Sequence, residues 1–372
     1  MKFAIFTHVI HKKQGNQYYA YAPYVREMNV WAKQVQELIV VAPMAKQERT
    51  PIDSFYVHTH IRFVPVDSFN ILSLGGLFKT IFNVPKISLA LYKAMYYADH
   101  IHLRCPGNIG LLGCFVQMLF PNTPKTAKYA GNWDPKSKQP WTYRLQKWIL
   151  SNSFLTRNMQ VLVYGEWPNQ TKNIKSFFTA TYPDRDTSPL LPKVLKGSIT
   201  FVFVGTLVKG KNPLYAVQLV AELFQKGYDV VLRIYGEGVQ RAQLESYILK
   251  HKLEGIIVLE GNQNQEIIKK AYQNSHFVVL PSESEGWPKA IAEGMFWGCV
   301  PVATAVSCVP FMLDNGNSGI LLEMNLGNDI RQLEAVLDDE SCFQMMSKKG
   351  SDWSRTYTLD AFENEIEKLL RS

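Results

Sequence analysis

Glu285 and Glu293 stand eight residues apart, with Gly286, Trp287 and Pro288 between them. The run Phe277-Val278-Val279-Leu280 before them has the character of a buried strand and opens into the polar loop Pro281-Ser282-Glu283-Ser284. Pro288 suits the first turn of a helix, where its missing N–H costs nothing. On that helix Glu293 falls about two turns beyond Glu285. The spacing puts two carboxylates beside a helix N-terminus whose free N–H groups favour an anion. Gly286 lets the backbone come close to a ligand. The competing reading of the same residues is a solvated helix start with a capping carboxylate.

Other chemistry-bearing residues make weaker patterns. Asp184-Arg185-Asp186 has the Asp-x-Asp form of a metal-holding pair, but it sits among prolines and not after a strand. His100 and His102 alternate on one strand, and His58 and His60 share that spacing without a carboxylate partner. None makes a metal site. The five cysteines (Cys105, Cys114, Cys299, Cys308 and Cys342) are scattered and include no Cys-x-x-Cys, which suits a reducing compartment and argues against structural zinc. No Gly-x-Gly-x-x-Gly follows the first strand, so dinucleotide oxidoreduction lacks its fingerprint.

Strands and helices alternate around these residues. Ser198–Val204, Asp229–Tyr235, Gly255–Leu259, His276–Leu280 and Val300–Ala303 read as strands, with helices near 212–227, 239–251, 265–273 and 289–297. That alternation predicts an α/β fold with a doubly wound parallel sheet. The first half repeats the theme less cleanly. Strands are expected at Phe3–Thr7, Glu37–Ala42, Ile61–Val66, His100–Leu103, Lys125–Ala130 and Val161–Tyr164, and a helix over Tyr18–Met28. Pro183, Pro189, Pro192 and Gly197 mark a linker at 185–197 between domains at 1–184 and 198–355, with a last segment at 356–372. Two such halves predict a ligand site in the cleft between them, at the carboxyl ends of the strands.

Of 372 residues, 47% are hydrophobic and 19% charged, which excludes a disordered chain or a disulfide scaffold. Residues 1–190 carry 22 Lys and Arg against 10 Asp and Glu, and the remainder 18 against 22. The basic half favours an anionic surface or ligand. Nucleic acid is not expected, since no zinc-finger or RRM signature is present. Two stretches, Ile71–Lys86 and Lys136–Trp148, mix aromatic or apolar residues with cations and suit peripheral contact with an anionic membrane. A core helix and a solvated helix are the alternatives. No apolar run approaches a membrane span and the N-terminus lacks a signal-peptide core, so the chain reads as cytoplasmic, with any membrane contact on the inner face.

The stretch Ser284-Glu285-Gly286-Trp287-Pro288 with Glu293-Gly294-Met295, followed by Gly298-Cys299-Val300-Pro301-Val302-Ala303, resembles the Glu-x7-Glu signature of retaining glycosyltransferases of family 4. Phe203-Val204-Gly205, Lys211-Asn212-Pro213 and Ile234-Tyr235-Gly236-Glu237-Gly238 precede it in the order that family uses. The resemblance covers about 155 residues well and the first half in outline. It implies the GT-B fold, two Rossmann-like doubly wound domains facing across a cleft, with the final helix returning to the N-terminal domain. It implies a metal-independent, hexosyl-type transfer from a UDP- or GDP-sugar to the hydroxyl of a glycan or lipid-linked acceptor, with no cofactor. Bacterial surface-polysaccharide, lipopolysaccharide or glycolipid assembly is the implied setting.

By the same resemblance Glu293 meets the donor ribose, Glu285 the transferred sugar, and the backbone of Gly286, Trp287 and Pro288 the sugar and diphosphate. Lys211 meets the diphosphate, where negative charge builds as the glycosidic bond breaks. Gly205, Gly236, Glu237 and Gly261 line the nucleotide. Three departures stand out. Thr206 replaces the usual Arg, with Lys209 three residues on as a substitute. The N-terminal loop has a single glycine, Gly15. No histidine occurs in Tyr129-Ala130-Gly131-Asn132-Trp133-Asp134, leaving Asn132 or Asp134 as the catalytic candidate, against an Asx-type turn before Pro135. These departures keep two alternatives open: a catalytically silent nucleotide-sugar-binding partner subunit, and another GT-B chemistry such as sugar-nucleotide epimerisation.

Overall fold

The computed structural model describes residues 1–50, 52–67, 74–187, 189–190 and 192–371, with the backbone alone for 74–82. The chain divides into two compact units, Met1–Phe178 with Phe362–Ser372 and Thr179–Ala361.

The first unit is built on strands β1 (Lys2–Phe6), β2 (His11–Gln14), β3 (Gln17–Tyr21), β4 (Glu37–Ala45), β5 (Asp53–Phe55), β6 (Ile61–Val66), β7 (His100–Cys105), β8 (Lys125–Tyr129), β9 (Met159–Tyr164) and β10 (Ile174–Phe177). They run in the order β10-β9-β8-β7-β1-β4-β2-β3-β5, with β6 also paired to β4. Pairing is parallel throughout except in the β2-β3-β5 extension. Helix α1 (Ala22–Ala32) leads from β3 into β4, and α2 (Leu74–Tyr97), α3 (Asn108–Val116) and α4 (Trp141–Leu150) link successive parallel strands. Strands of such a sheet are covered on both faces, and Phe3, Ala4, Ile5 and Phe6 are accordingly all buried.

One expected helix is corrected. Tyr18–Met28 begins as strand β3, which pairs antiparallel with β2, and the helix starts only at Ala22, with Pro23 in its first turn. Tyr19 and Ala20 are buried on both faces of β3 while Gln17 and Tyr21 are exposed, so no alternation marks the strand in the sequence. The structure also adds β5, β10 and the long helix α2 to the elements expected.

Strand β8, Lys125-Thr126-Ala127-Lys128-Tyr129, is buried at every position. Lys125 donates to the carbonyl oxygens of Phe120 and Thr123 at 2.5 and 3.2 Å, and burial lowers its pKa to about 8. Lys128 Nζ lies 3.1 Å from Glu27 Oε1 and 3.0 Å from the Phe178 carbonyl oxygen, ringed by Tyr164, Phe177 and Phe362. Arg104 Nη1 reaches the same Glu27 oxygen at 2.5 Å. Two cations thus share one carboxylate, and none of the three side chains is more than 9% exposed.

Of the stretch 71–86, residues 71–73 lie outside the described residues, as do the side chains of 74–82. Within 136–148, Trp141 and Trp148 on α4 are exposed, and Lys147 turns back onto the Trp133 ring and carbonyl. Among the described residues no helix is long and apolar enough to cross a membrane.

The second unit has six parallel strands, β11 (Ile199–Val204), β12 (Val230–Tyr235), β13 (Ile257–Gly261), β14 (Phe277–Leu280), β15 (Val300–Thr304) and β16 (Ile320–Leu322), in the order β13-β12-β11-β14-β15-β16. Helices α5 (Pro213–Gln225), α6 (Arg241–Lys250), α7 (Gln265–Asn274), α8 (Lys289–Phe296), α9 (Val309–Met312), α10 (Leu326–Leu337) and α11 (Glu340–Ser354) cover it. The final helix, α12 (Leu359–Arg371), belongs to the first unit from Phe362 onward. The strand order reverses between β11 and β14, and at such a switch point the two flanking loops part and leave room for a ligand.

Candidate active site

The loop after β11 and the loop after β14 meet at that switch point. The Glu283 N–H donates to the Gly210 carbonyl oxygen at 2.8 Å, which ties the two loops together. Lys211 then pairs with Glu285 through Nζ and Oε1. Glu285 is buried, with 7% of its side chain exposed, whereas 29% of the Lys211 side chain is exposed. The two residues lie 74 positions apart and form one electrostatic unit, a sheltered acid facing a reachable cation. A third loop, after β15, supports them. Thr304 Oγ1 donates to the Ser282 carbonyl oxygen at 2.5 Å, and Ser307 Oγ and Cys308 Sγ donate to the Gly286 carbonyl oxygen at 3.2 and 3.1 Å. These supporting residues carry no local sequence signal, because their role exists only once β15 lies beside β14.

Pro288 is the N-cap of α8, and no side chain caps that helix start. Trp287 is buried, stacked on Trp353 at 5.9 Å and edge-on to Tyr357 at 5.4 Å. Its ring therefore anchors the loop from below. Glu293 lies within α8, and its Oε1 accepts from Thr181 Oγ1 at 2.7 Å. Burial first, and then the Glu293 charge, raise the Tyr272 phenol well above its usual range.

The glycines of the neighbouring loops stack across strand ends. The Gly205 N–H donates to the Tyr235 carbonyl oxygen, and the Gly236 N–H to the Gly261 carbonyl oxygen, both at 2.9 Å. Gly236 has φ +148°, and a Cβ there would stand 1.9 Å from the Gly205 carbonyl oxygen. Gly236 is thus required by the approach of β12 to β11, whatever else it touches. Glu237 is paired with Arg241 at the start of α6. Thr206 and Lys209 are both exposed on the β11 loop. A Gly236→Ala chain is expected to lose about 1–3 kcal/mol from the unfolding of the second unit, the range for overpacking. Thermal unfolding followed by tryptophan fluorescence checks it, and an unchanged transition would contradict the close approach.

In the first unit, Gly15 is the exposed tip of the β2–β3 hairpin, with φ +58° and open space around it. That positive φ serves the turn. Asn132 Oδ1 accepts the Asp134 N–H at 2.9 Å, and Asp134 Oδ1 accepts the Lys136 N–H at 2.8 Å. Both side chains are engaged in consecutive Asx-type turns ahead of α4. His100 and His102 are buried and bonded to Thr126 Oγ1 at 3.0 and 2.8 Å. Asp186 pairs with Lys269 at 3.2 Å, and the Asp184 N–H donates to Asp360 Oδ2 at 2.7 Å; among the described residues no three His, Cys, Asp or Glu are placed to hold a metal ion.

Residues 192–353 match the family model described as glycosyl transferases group 1. That matched segment contains Lys211, Glu285 and Glu293, and the fold is the two-domain Rossmann-like class called GT-B. Among relatives, α-D-kanosaminyltransferase of Streptomyces kanamyceticus is 26% identical over 172 residues, 46% of this chain and 45% of that protein. The UDP-Gal:α-D-GlcNAc-diphosphoundecaprenol α-1,3-galactosyltransferase of Escherichia coli is 30% identical over 157 residues, 41% of this chain and 40% of that protein. The chain thus spans less than half the length of these relatives. Among solved structures, Anabaena HepE in complex with UDP and glucose superposes with a TM-score of 0.69 at 13% identity, covering 100% of this chain and 99% of that one.

Proposed function

We propose that this chain is a retaining glycosyltransferase that moves a hexose from a nucleoside-diphosphate sugar to an acceptor hydroxyl without a metal. The observation that carries the reading is the Lys211–Glu285 pair at the switch point of the second unit, inside the group 1 segment. Lys211 neutralises the diphosphate as charge builds on the leaving oxygen, the role an ammonium group can fill in place of a metal. Glu285 accepts hydrogen bonds from the hydroxyls of the sugar, and the uncapped start of α8 adds backbone donors toward the same anion. Glu293 takes the ribose, exchanging its bond from Thr181 for the ribose hydroxyls. The backbone around Gly205, Gly236 and Gly261 takes the base, with Glu237 and Thr206 at its margin. Residues 198–355 bind the donor and residues 1–184 the acceptor.

The HepE neighbour holds UDP and glucose, and the name of the E. coli relative specifies UDP-Gal and a diphosphoundecaprenol-linked acceptor. Both support a uridine diphosphate donor, and the second supports a lipid-linked acceptor in polysaccharide assembly. The exposed Trp141 and Trp148 on a basic stretch support peripheral contact with an anionic membrane. A thermal-shift screen tests the donor site. A specific diphosphate at a hundred times its Kd stabilises the folded state by about 2.7 kcal/mol. UDP or GDP is expected to raise Tm where the nucleoside does not. No shift with any nucleoside diphosphate would refute the reading, whereas binding without turnover of any donor would favour a silent partner subunit.

A further inference from the structure

The sheet of the first unit has its own switch point. From β1 the chain passes to β4 on one side, and β7 lies on the other. Ligands of open parallel sheets bind outside the carboxyl ends of the strands at such a point. Two residues meet there. His8, exposed, follows β1, and Gly107, buried, follows β7. The Nδ1 edge of the His8 ring lies so close to Gly107 that a Cβ on that glycine would stand 2.3 Å from Nδ1 and 2.8 Å from Cγ. Gly107 has φ 161° and ψ 166°, extended backbone that any residue adopts. The ring, and not the backbone, is what the glycine accommodates.

The segment on either side of His8 is held from below. The Val9 N–H donates to Thr7 Oγ1 at 3.2 Å, and buried His11 bonds the Val9 carbonyl oxygen through Nδ1 at 2.8 Å and Tyr56 Oη through Nε2 at 2.9 Å. The imidazole of His8 is therefore presented from a fixed loop, with its Nε2 edge turned away from Gly107. Partial burial, and then the Arg104 charge, lower its pKa, which keeps the ring neutral near pH 7. A neutral imidazole on a fixed loop can accept or donate one well-directed hydrogen bond.

We propose that His8 is an acceptor-binding residue, its Nε2 bonding a hydroxyl of the acceptor glycan, and that Gly107 is the positioning residue that seats its ring. The inference rests on the transferase reading and assigns to the β1 loop a recognition role separate from the turns in which Asn132 Oδ1 and Asp134 Oδ1 are engaged. The test uses the full chain, UDP-glucose or UDP-galactose as donor, and a panel of free and lipid-diphosphate-linked glycan acceptors. His8→Ala is expected to lower kcat/KM for the acceptor about tenfold, with UDP affinity by calorimetry unchanged, the scale of one lost hydrogen bond. Gly107→Ala, whose methyl displaces the ring, is expected to act in the same direction, and the double variant to be no worse than His8→Ala alone. Wild-type acceptor kinetics for His8→Ala, or additive losses in the double variant at an unchanged Tm, would overturn the assignment. A wild-type chain that binds UDP but transfers to no acceptor would instead overturn the transferase reading beneath it.

Discussion

Lys211→Met is expected to reduce kcat for sugar transfer by roughly 10²–10³, the scale on which removal of one preorganised charge-stabilising group acts. Glu285 is almost fully sheltered, so its carboxylate depends on Lys211 for neutralisation, while Lys211 stays accessible enough to turn to an incoming diphosphate. Methionine preserves the length of the stem and removes the charge. Affinity for UDP should weaken together with kcat, since the same ammonium group meets the diphosphate before and during bond cleavage. Glu285→Gln should separate the two effects. It keeps the shape, retains UDP binding and loses transfer, because the group that orients the sugar is lost and the diphosphate contact is not. UDP release at saturating donor and calorimetric UDP affinity measure both variants. Wild-type turnover in both would remove the Lys211–Glu285 pair from the mechanism.

The second large effect concerns stability. Glu27→Ala is expected to cost about 3–5 kcal/mol, because it leaves both Arg104 and Lys128 buried without a counter-charge. Lys128→Met should be far milder, about 1–2 kcal/mol. It removes one of two cations from a single carboxylate, leaves the Arg104–Glu27 pair in place and fills the ring of Tyr164, Phe177 and Phe362 with an apolar stem. Its main loss is the bond to the Phe178 carbonyl oxygen. Because the chain has two units, the comparison belongs to native-state hydrogen exchange of β7 and β8 amides and not to a single midpoint. Equal losses in the two variants would contradict the shared-carboxylate account. The site of the second unit should remain able to bind UDP in both.

An element is legible in the sequence where it depends on immediate neighbours along the chain. Strands β11 and β14 are near-continuous apolar runs bounded by Gly205 and Pro281, so their existence was legible. Pro288 and the spacing of Glu285 from Glu293 located the start of α8 to within a residue. The β2–β3 hairpin was not legible, since Gln17-Tyr18-Tyr19-Ala20-Tyr21 has no clean alternation of polar and apolar types and its burial follows from pairing with β2. β16 is three residues long and gains its place only by lying beside β15. Glu27, Arg104 and Lys128 defeat composition altogether, since charged residues are expected at the surface and these three are buried by one another.

Local order thus belongs to the sequence itself: which stretches are strands or helices of a parallel α/β fold, and which loop carries the Glu-x7-Glu pattern, follow from spacing along the chain. That Lys211 meets Glu285 across 74 residues, that Gly236 abuts the Gly205 carbonyl, and that Gly107 seats the His8 ring were decided only in three dimensions. The physical reason is that periodicity encodes the direction in which a side chain leaves the backbone, whereas its partner is chosen by strand order and close packing, which bring together residues that share no local pattern.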